Sequence, residues 1–163
     1  MTQDLDDISV YACWTRLNET PEDIARMSMR FMKEFSTRIK LERWRPLEGE
    51  WDGTEAGLVE VIKRNPVTDD DGEPIPGDGY HFTLNNDRGP LNTDFSVRAG
   101  TDRLFERIAS PKFSQDFYRS VHVSAGELWD ASVHAAVTAF DPAFVTGQEM
   151  TILMMTRRGG WKI

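Results

Sequence analysis

The sequence predicts an α+β fold, a single domain over residues 1–163 in which a mostly antiparallel sheet is packed by two to three helices. Three observations predict it. A chain of 163 residues fits one domain at about 150 residues per domain and can bury a core without metal or disulfide staples. Period-2 segments and segments with apolar residues three and four apart follow one another in the order β-α-α-β-β-β-α-β. No internal repeat, low-complexity tract or linker divides the chain.

The first strand is read from "DISVYACWTR", where Ile8, Val10, Ala12 and Trp14 alternate with Ser9, Tyr11, Cys13 and Thr15. In "NETPEDIARMSMRFMKEFSTR" the period changes. Thr20 is a helix cap, Pro21 suits the first helical position, and Asp23 stands where a capping box places its acid. Ile24, Met27, Phe31 and Phe35 then form one apolar stripe. "IKLERWRPLEGEW" either extends this helix or forms a short extended segment ended by Pro46, with Trp44 and Trp51 as partly buried anchors. "TEAGLVEVIKRN" reads as a second helix with Leu58, Val59 and Ile62 inward and Pro66 as its stop.

After an acidic segment, Tyr80, Phe82 and Leu84 alternate with His81, Thr83 and Asn85, and Phe95, Val97 and Ala99 with Ser96 and Arg98. The turn-rich "NNDRGPLN" between them makes an antiparallel pair the economical reading. "TDRLFERIAS" is expected to form a helical turn or two with Asp102 capping and Pro111 closing, and "DFYRSVHVS" a further strand. Ser124 and Glu127 make a second capping box, followed by a stripe of Trp129, Val133, Ala136, Val137 and Phe140 that stops at Asp141-Pro142. The apolar run "EMTILMMTRR" closes the chain as a strand expected to be buried on both faces.

Composition limits the function classes. Apolar residues are 39% and charged residues 28%, a soluble globular profile, and the net charge of −8 argues against direct nucleic-acid binding, which needs clustered Lys and Arg. An acidic chain is steered instead toward basic partners. The acidic start "MTQDLDDISV" has no secretory pattern, and no apolar run approaches the ~20 residues of a membrane span, so the expected location is cytoplasmic and no membrane partner is expected. A lone Cys13 fits a reducing compartment.

Residues 65–82, "NPVTDDDGEPIPGDGYHF", invite a test for calcium. With Gly72 at the sixth position of an EF-hand loop, the first position falls on Val67 and the twelfth on Asp78 in place of Glu, and a strand follows where a helix is needed. The register fails. The segment is a proline-stiffened surface loop, either merely solvated or part of a protein-binding surface. His81, His122 and His134 lack metal-ligand spacing, Cys13 has only Arg16 nearby to lower its pKa, and no phosphate loop or nucleophile elbow is present. No catalytic residue, metal ligand or cofactor-binding residue is therefore assigned, and no enzyme activity is expected.

The strand ending in "WTR", the following "NETPEDIARMSMRFMKEF", the segment "DDDGEPIPGDGYHFTLNND" leading to "DFSVRAG", and the closing "AAVTAFDPAFVT" resemble the immunity protein 52 family of bacterial polymorphic toxin systems. The resemblance runs from about residue 8 to about 157. The chain departs from the pattern in having Leu84 before Asn85 where a tryptophan is expected, and in a longer "TDRLFERIASPKFSQ". The resemblance implies a small cytoplasmic α+β protein, without catalytic activity, that neutralises a cognate toxin by binding it. Some of the associated toxins are restriction-endonuclease-like nucleases delivered by specialised (type VI) secretion. A basic DNase-type toxin domain is then the expected partner, and carboxylates would take the place of DNA phosphates on its surface. The candidate toxin-binding residues are Asp69, Asp70, Asp71, Glu73 and Asp78 in the acidic loop, with Glu50, Trp51 and Asp52 as a second patch and Trp51 as its aromatic anchor. The alternative is a small hydrolase or small-molecule-binding domain with a pocket where at least two of His81, His122 and Cys13 converge.

Overall fold

The helix starts encoded in the sequence are the starts observed. In the computed structural model, which describes residues 8–40, 44–86, 93–102, 108–113, 122–147, 150–156 and 160–162, helix α1 (Pro21–Ser36) begins at a complete capping box. Thr20 accepts from the Asp23 N–H at 3.1 Å and Asp23 accepts from the Thr20 N–H at 3.2 Å, which satisfies two of the backbone donors a helix start leaves open. Helix α2 (Glu55–Lys63) is capped by Thr54, and α3 (Ala125–Phe140) by the reciprocal Ser124–Glu127 box. Asp141 ends α3 in the left-handed region at φ 45°.

Among the described residues eight strands form one sheet in the order β2-β3-β4-β5-β1-β6-β7-β8, every neighbouring pair antiparallel. The strands are β1 (Ile8–Cys13), β2 (Trp44–Pro46), β3 (Tyr80–Asn86), β4 (Thr93–Ala99), β5 (Ile108–Phe113), β6 (Phe144–Gly147), β7 (Met150–Thr156) and β8 (Gly160–Lys162). The predicted α+β class, a mostly antiparallel sheet with helices packed on it, is the observed one. Because β1 lies between β5 and β6 while β2 lies at the edge, the chain must travel from mid-sheet to the edge between them, and α1 makes that journey.

All three described helices contribute to one core on one face of the sheet. Along β4 the residues Thr93, Phe95, Val97 and Ala99 are buried, while Asp94, Ser96 and Arg98 on the other face are half-buried. Phe31 of α1 stacks on Phe95 with centroids 4.3 Å apart, and Trp14 at the end of β1 stacks on Phe140 of α3 at 4.8 Å. Phe35 and Phe140 extend this aromatic cluster from Phe31. Leu58 and Ile62 of α2 complete it over β3.

Two expectations need correction, one open alternative is decided, and one predicted strand gains neighbours. Ile108–Phe113 is a strand with Pro111 inside it, whereas the local pattern of "TDRLFERIAS" predicts helical turns closed by that proline; pairing with β4 on one side and β1 on the other outweighs the local signal. Residues 103–107 lie outside the described residues. His122 stands in a turn at φ 55°, two residues before the Ser124 cap, so the strand expected through "DFYRSVHVS" does not include its end; residues 114–121 lie outside the described residues. The extended alternative for "IKLERWRPLEGEW" holds for Trp44–Pro46, with residues 41–43 outside the described residues. "EMTILMMTRR" does become a strand, β7, but it lies between two further strands, β6 and β8, that the sequence pattern does not separate from it, and the burial of its side chains lies outside the described residues.

Candidate functional site

The acidic segment is an irregular hairpin that leaves β3 at its start. Isolated bridges join Pro66 to Tyr80 and Thr68 to Pro74, and Val67 and Ile75 donate to the Gly79 and Val67 carbonyls at 3.0 and 2.9 Å. At the tip Asp69 turns inward: its Oδ1 accepts from the Asp71 and Glu73 N–H groups at 3.0 and 2.9 Å, a side-chain-closed turn of the kind Asp favours. Gly72 at φ 84° lets the chain reverse. Asp69, Asp70, Asp71 and Glu73 are all exposed, so four carboxylates stand on a loop held by its own backbone.

Asp78 leaves this set. It is 4% exposed and has a partner inside the fold, so its carboxylate is not offered to a toxin surface. The reason lies in its neighbour: Gly79, at φ 72°, passes so close to β4 that a Cβ would lie 2.2 Å from the Ala99 carbonyl, which draws this end of the hairpin into the fold. Asp102 donates its N–H to the Gly77 carbonyl at 2.9 Å and locks the same corner.

The second patch is a built turn. Asp52 Oδ1 accepts from the Thr54 N–H at 2.9 Å and from its hydroxyl at 2.7 Å, and the Trp51 indole N–H donates to the Thr54 carbonyl at 2.8 Å. The Thr54 hydrogen bonds hold the Asp52 carboxyl below the usual carboxylate range. Gly57 is required by the close approach of this turn to α2, since a Cβ there would lie 2.2 Å from Asp52 Oδ1 and 3.0 Å from the Trp51 ring. Glu50 and Asp52 are exposed and Trp51 is half-buried against the core.

This turn is the lip of a groove of about 1190 Å³ between the C-terminal half of α1, α2 and β2. Met29, Met32, Trp44 and Trp51 supply its apolar lining; Lys33 stands on the α1 wall, and Glu60 and Arg64 on the α2 wall. Arg64 is occupied within the chain, donating to the Glu60 carbonyl at 3.2 Å and the Glu50 carbonyl at 3.4 Å. Leu47, which follows the groove-lining Pro46 in the chain, is 65% exposed.

Two of the groups expected to form a His/Cys pocket, His81 and Cys13, do not converge, and His122 stands in the turn before the Ser124 cap. His81, Arg98, Ile108 and Cys13 are successive Cα partners across β3, β4, β5 and β1, which separates His81 from Cys13 by three strand spacings, about 14 Å. His134 is on α3, on the helical side, 3.9 Å from Glu34. None of these residues lines the groove. Cys13 is half-buried and its thiol is pushed up by desolvation, the opposite of nucleophile activation. Burial first and the Arg98 charge second pull the His81 pKa down. No group of three or more His, Cys, Asp or Glu among the described residues is arranged to hold a metal ion. No described helix is long and apolar enough to cross a membrane.

Compared with known protein families and with curated proteins, the chain matches none. The site is therefore defined by its geometry alone: two solvent-facing acidic patches, one of them on the lip of a Trp- and Met-lined groove.

Sequence reasoning named Glu50, Trp51 and Asp52 but missed Met29, Met32, Lys33 and Trp44 as their companions, because these come from separate elements that only packing brings together. Glu19 was missed as well. It is 8% exposed and ties the loop after β1 to the end of β4, accepting from the Trp14 indole and from the Gly100 N–H at 3.0 Å. Its signal was the adjacency of a helix start to a strand ending in Trp14.

Proposed function

We propose that this chain is an immunity-type binding protein that neutralises a cognate antibacterial toxin by occluding it, the toxin being a basic domain of the nuclease type, and that it has no catalytic activity of its own. The observation that carries the reading is the self-pinned hairpin, which holds Asp69, Asp70, Asp71 and Glu73 exposed without any base between them. A loop already ordered loses little conformational entropy on binding, and clustered carboxylates raise the encounter rate with a basic surface. The resemblance to the immunity protein 52 family supports the same reading, with the cytoplasm as the place of action and neither nucleic acid nor membrane as a direct partner.

The test is co-expression. The C-terminal domain of a large secreted protein encoded beside this chain, where the gene neighbourhood holds one, is produced with and without this chain, and survival and chromosomal DNA integrity are followed. The expected result is killing and DNA loss by the domain alone, with protection through a one-to-one complex. Absence of toxicity, or protection without a complex, overturns the reading.

A further inference from the structure

We infer that Glu19, which belongs to neither acidic patch, is a positioning residue of the acidic hairpin: its buried carboxylate fixes the corner after β4 on which the hairpin's base rests. This deepens the immunity reading and rests on it only for what the hairpin meets. The order of the hairpin itself is a property of the chain alone.

The loop between β1 and α1 is exposed from Thr15 to Asn18 and then turns inward at a single residue. Asn18 stands in the left-handed region at φ 57°, which Asn tolerates better than most residues, and Glu19 behind it is 8% exposed. There the carboxylate divides its oxygens. Oε1 accepts from the Trp14 indole N–H and Oε2 from the Gly100 N–H at 3.0 Å. Trp14 is buried and stacked on Phe140, so the carboxylate is referenced to the core and carries that position to Gly100. Hydrogen bonds to an ionised acceptor are roughly twice as strong as neutral ones, and a buried N–H that loses its acceptor bears the full cost of its desolvation.

Three successive residues carry the connection on to the hairpin. Gly100 gives its N–H to Glu19, Thr101 gives its carbonyl to the Asn18 N–H at 3.3 Å, and Asp102 gives its N–H to the Gly77 carbonyl at 2.9 Å. The backbones here are too close to shift separately. A Cβ on Gly100 would lie 2.9 Å from the Glu19 carbonyl oxygen and 3.2 Å from the Tyr80 ring, and one on Gly79 would lie 2.7 Å from the Thr101 nitrogen. The other arm of the hairpin is tied to β3, where the His81 N–H donates to the Asn65 carbonyl at 3.0 Å, and the tip closes on itself through Asp69. Both arms therefore set the direction in which Asp70, Asp71 and Glu73 project, and the arm at Gly77–Gly79 answers to Glu19.

Hydrogen–deuterium exchange of the full chain tests this without any partner. In Glu19→Gln one oxygen becomes an amide donor, so either Trp14 or Gly100 loses its acceptor while the size of the side chain is kept. The amides of Val67, Asp71, Glu73 and Ile75, all hydrogen-bonded within the hairpin, are expected to exchange about 10-fold faster, and those inside α2 and α3 to change far less. Gly77→Ala, at an exposed position, disturbs the far end of the same path, because its Cβ would lie 2.6 Å from Asp102 Oδ2. It is expected to loosen the same amides, and the double variant to loosen them no further than the stronger single one. Wild-type protection of the hairpin in Glu19→Gln, loosening shared equally with α2 and α3, or strictly additive effects of the two substitutions overturns the inference. Where Glu19→Gln does not fold, Gly77→Ala decides by itself, and unchanged hairpin protection there overturns it. A loosened hairpin that leaves the association rate of a toxin complex unchanged retains the positioning role and removes the hairpin from the immunity reading.

Discussion

The two acidic surfaces of this protein differ in what lies behind the charge. On the hairpin, Asp70, Asp71 and Glu73 project from a loop built of proline, glycine and hydrogen bonds to Asp69, with no apolar surface at the tip. On the groove lip, Glu50 and Asp52 flank Trp51 and face Met29, Met32 and Trp44. The first arrangement suits long-range attraction, which speeds encounter and is screened by salt. The second suits short-range adhesion, because burying an indole and a thioether removes apolar area from water. Fixed charge and fixed apolar shape thus occupy different loops, one after α2 and one before it.

The largest effect breaks both surfaces at once. Phe31→Ala removes the ring that stacks on Phe95 and neighbours Phe35 and Phe140, and it is expected to cost about 3–5 kcal/mol in urea unfolding. Equal loss of folding and binding would identify it as a core effect. Next, Gly57→Val forces a branched side chain into the space of Asp52 and Trp51, so the lip must move; about 1–3 kcal/mol of stability is expected to go, together with any contribution of the Glu50–Trp51–Asp52 patch to toxin binding, while that of the hairpin survives.

Charge reversal sharpens the comparison further. Asp70→Lys with Asp71→Lys is expected to slow association with a basic partner about 10-fold at low salt and much less at about 0.5 M salt, with the dissociation rate nearly unchanged, as stopped-flow mixing would read. Trp51→Ala should show the converse, a faster dissociation with little salt dependence.

The smallest effects are pH-dependent. Asp23, Asp52 and Glu127 all have pKa values lowered by hydrogen bonds at helix starts, chiefly from Thr20, Thr54 and Ser124. A lowered folded pKa means that the unfolded chain binds the proton first, so their contribution is complete above about pH 4–4.5 and is lost as pH falls through the folded values. Asp52→Asn should flatten that acid limb for the lip and leave the hairpin unaffected. His81 follows the same sign at higher pH: its folded pKa is lowered, so stability is fullest above about pH 6.5 and falls as pH drops toward the folded value. Thermal melts of His81→Gln from about pH 7.5 to 5 should lose that part of the slope.

The three helix starts, the period-2 runs of β1, β3 and β4, and the α+β class could be read from the chain because they depend on neighbours within a few residues. Caps act over three positions, and strand alternation needs only to know which face is wet. That the acidic segment is a surface loop leading into β3 was legible for the same reason, whereas the pairing that makes it a hairpin and the Asp69-closed tip were not. Asp78 was not, since its burial is set by the approach of Gly79 to Ala99, on a different strand and far along the chain. Pro111 misled because its strand is held by β4 and β1 on either side, a non-local gain that no local signal announces. The groove is the clearest case. Its Trp44 and Trp51 stood out in the sequence as partly buried anchors, but Met29, Met32 and Lys33 reach them from α1, and only the crossing of α1 from mid-sheet to the β2 edge brings them together. Short-range covalent geometry and hydrogen bonding determine elements; long-range burial decides which of their side chains share one surface.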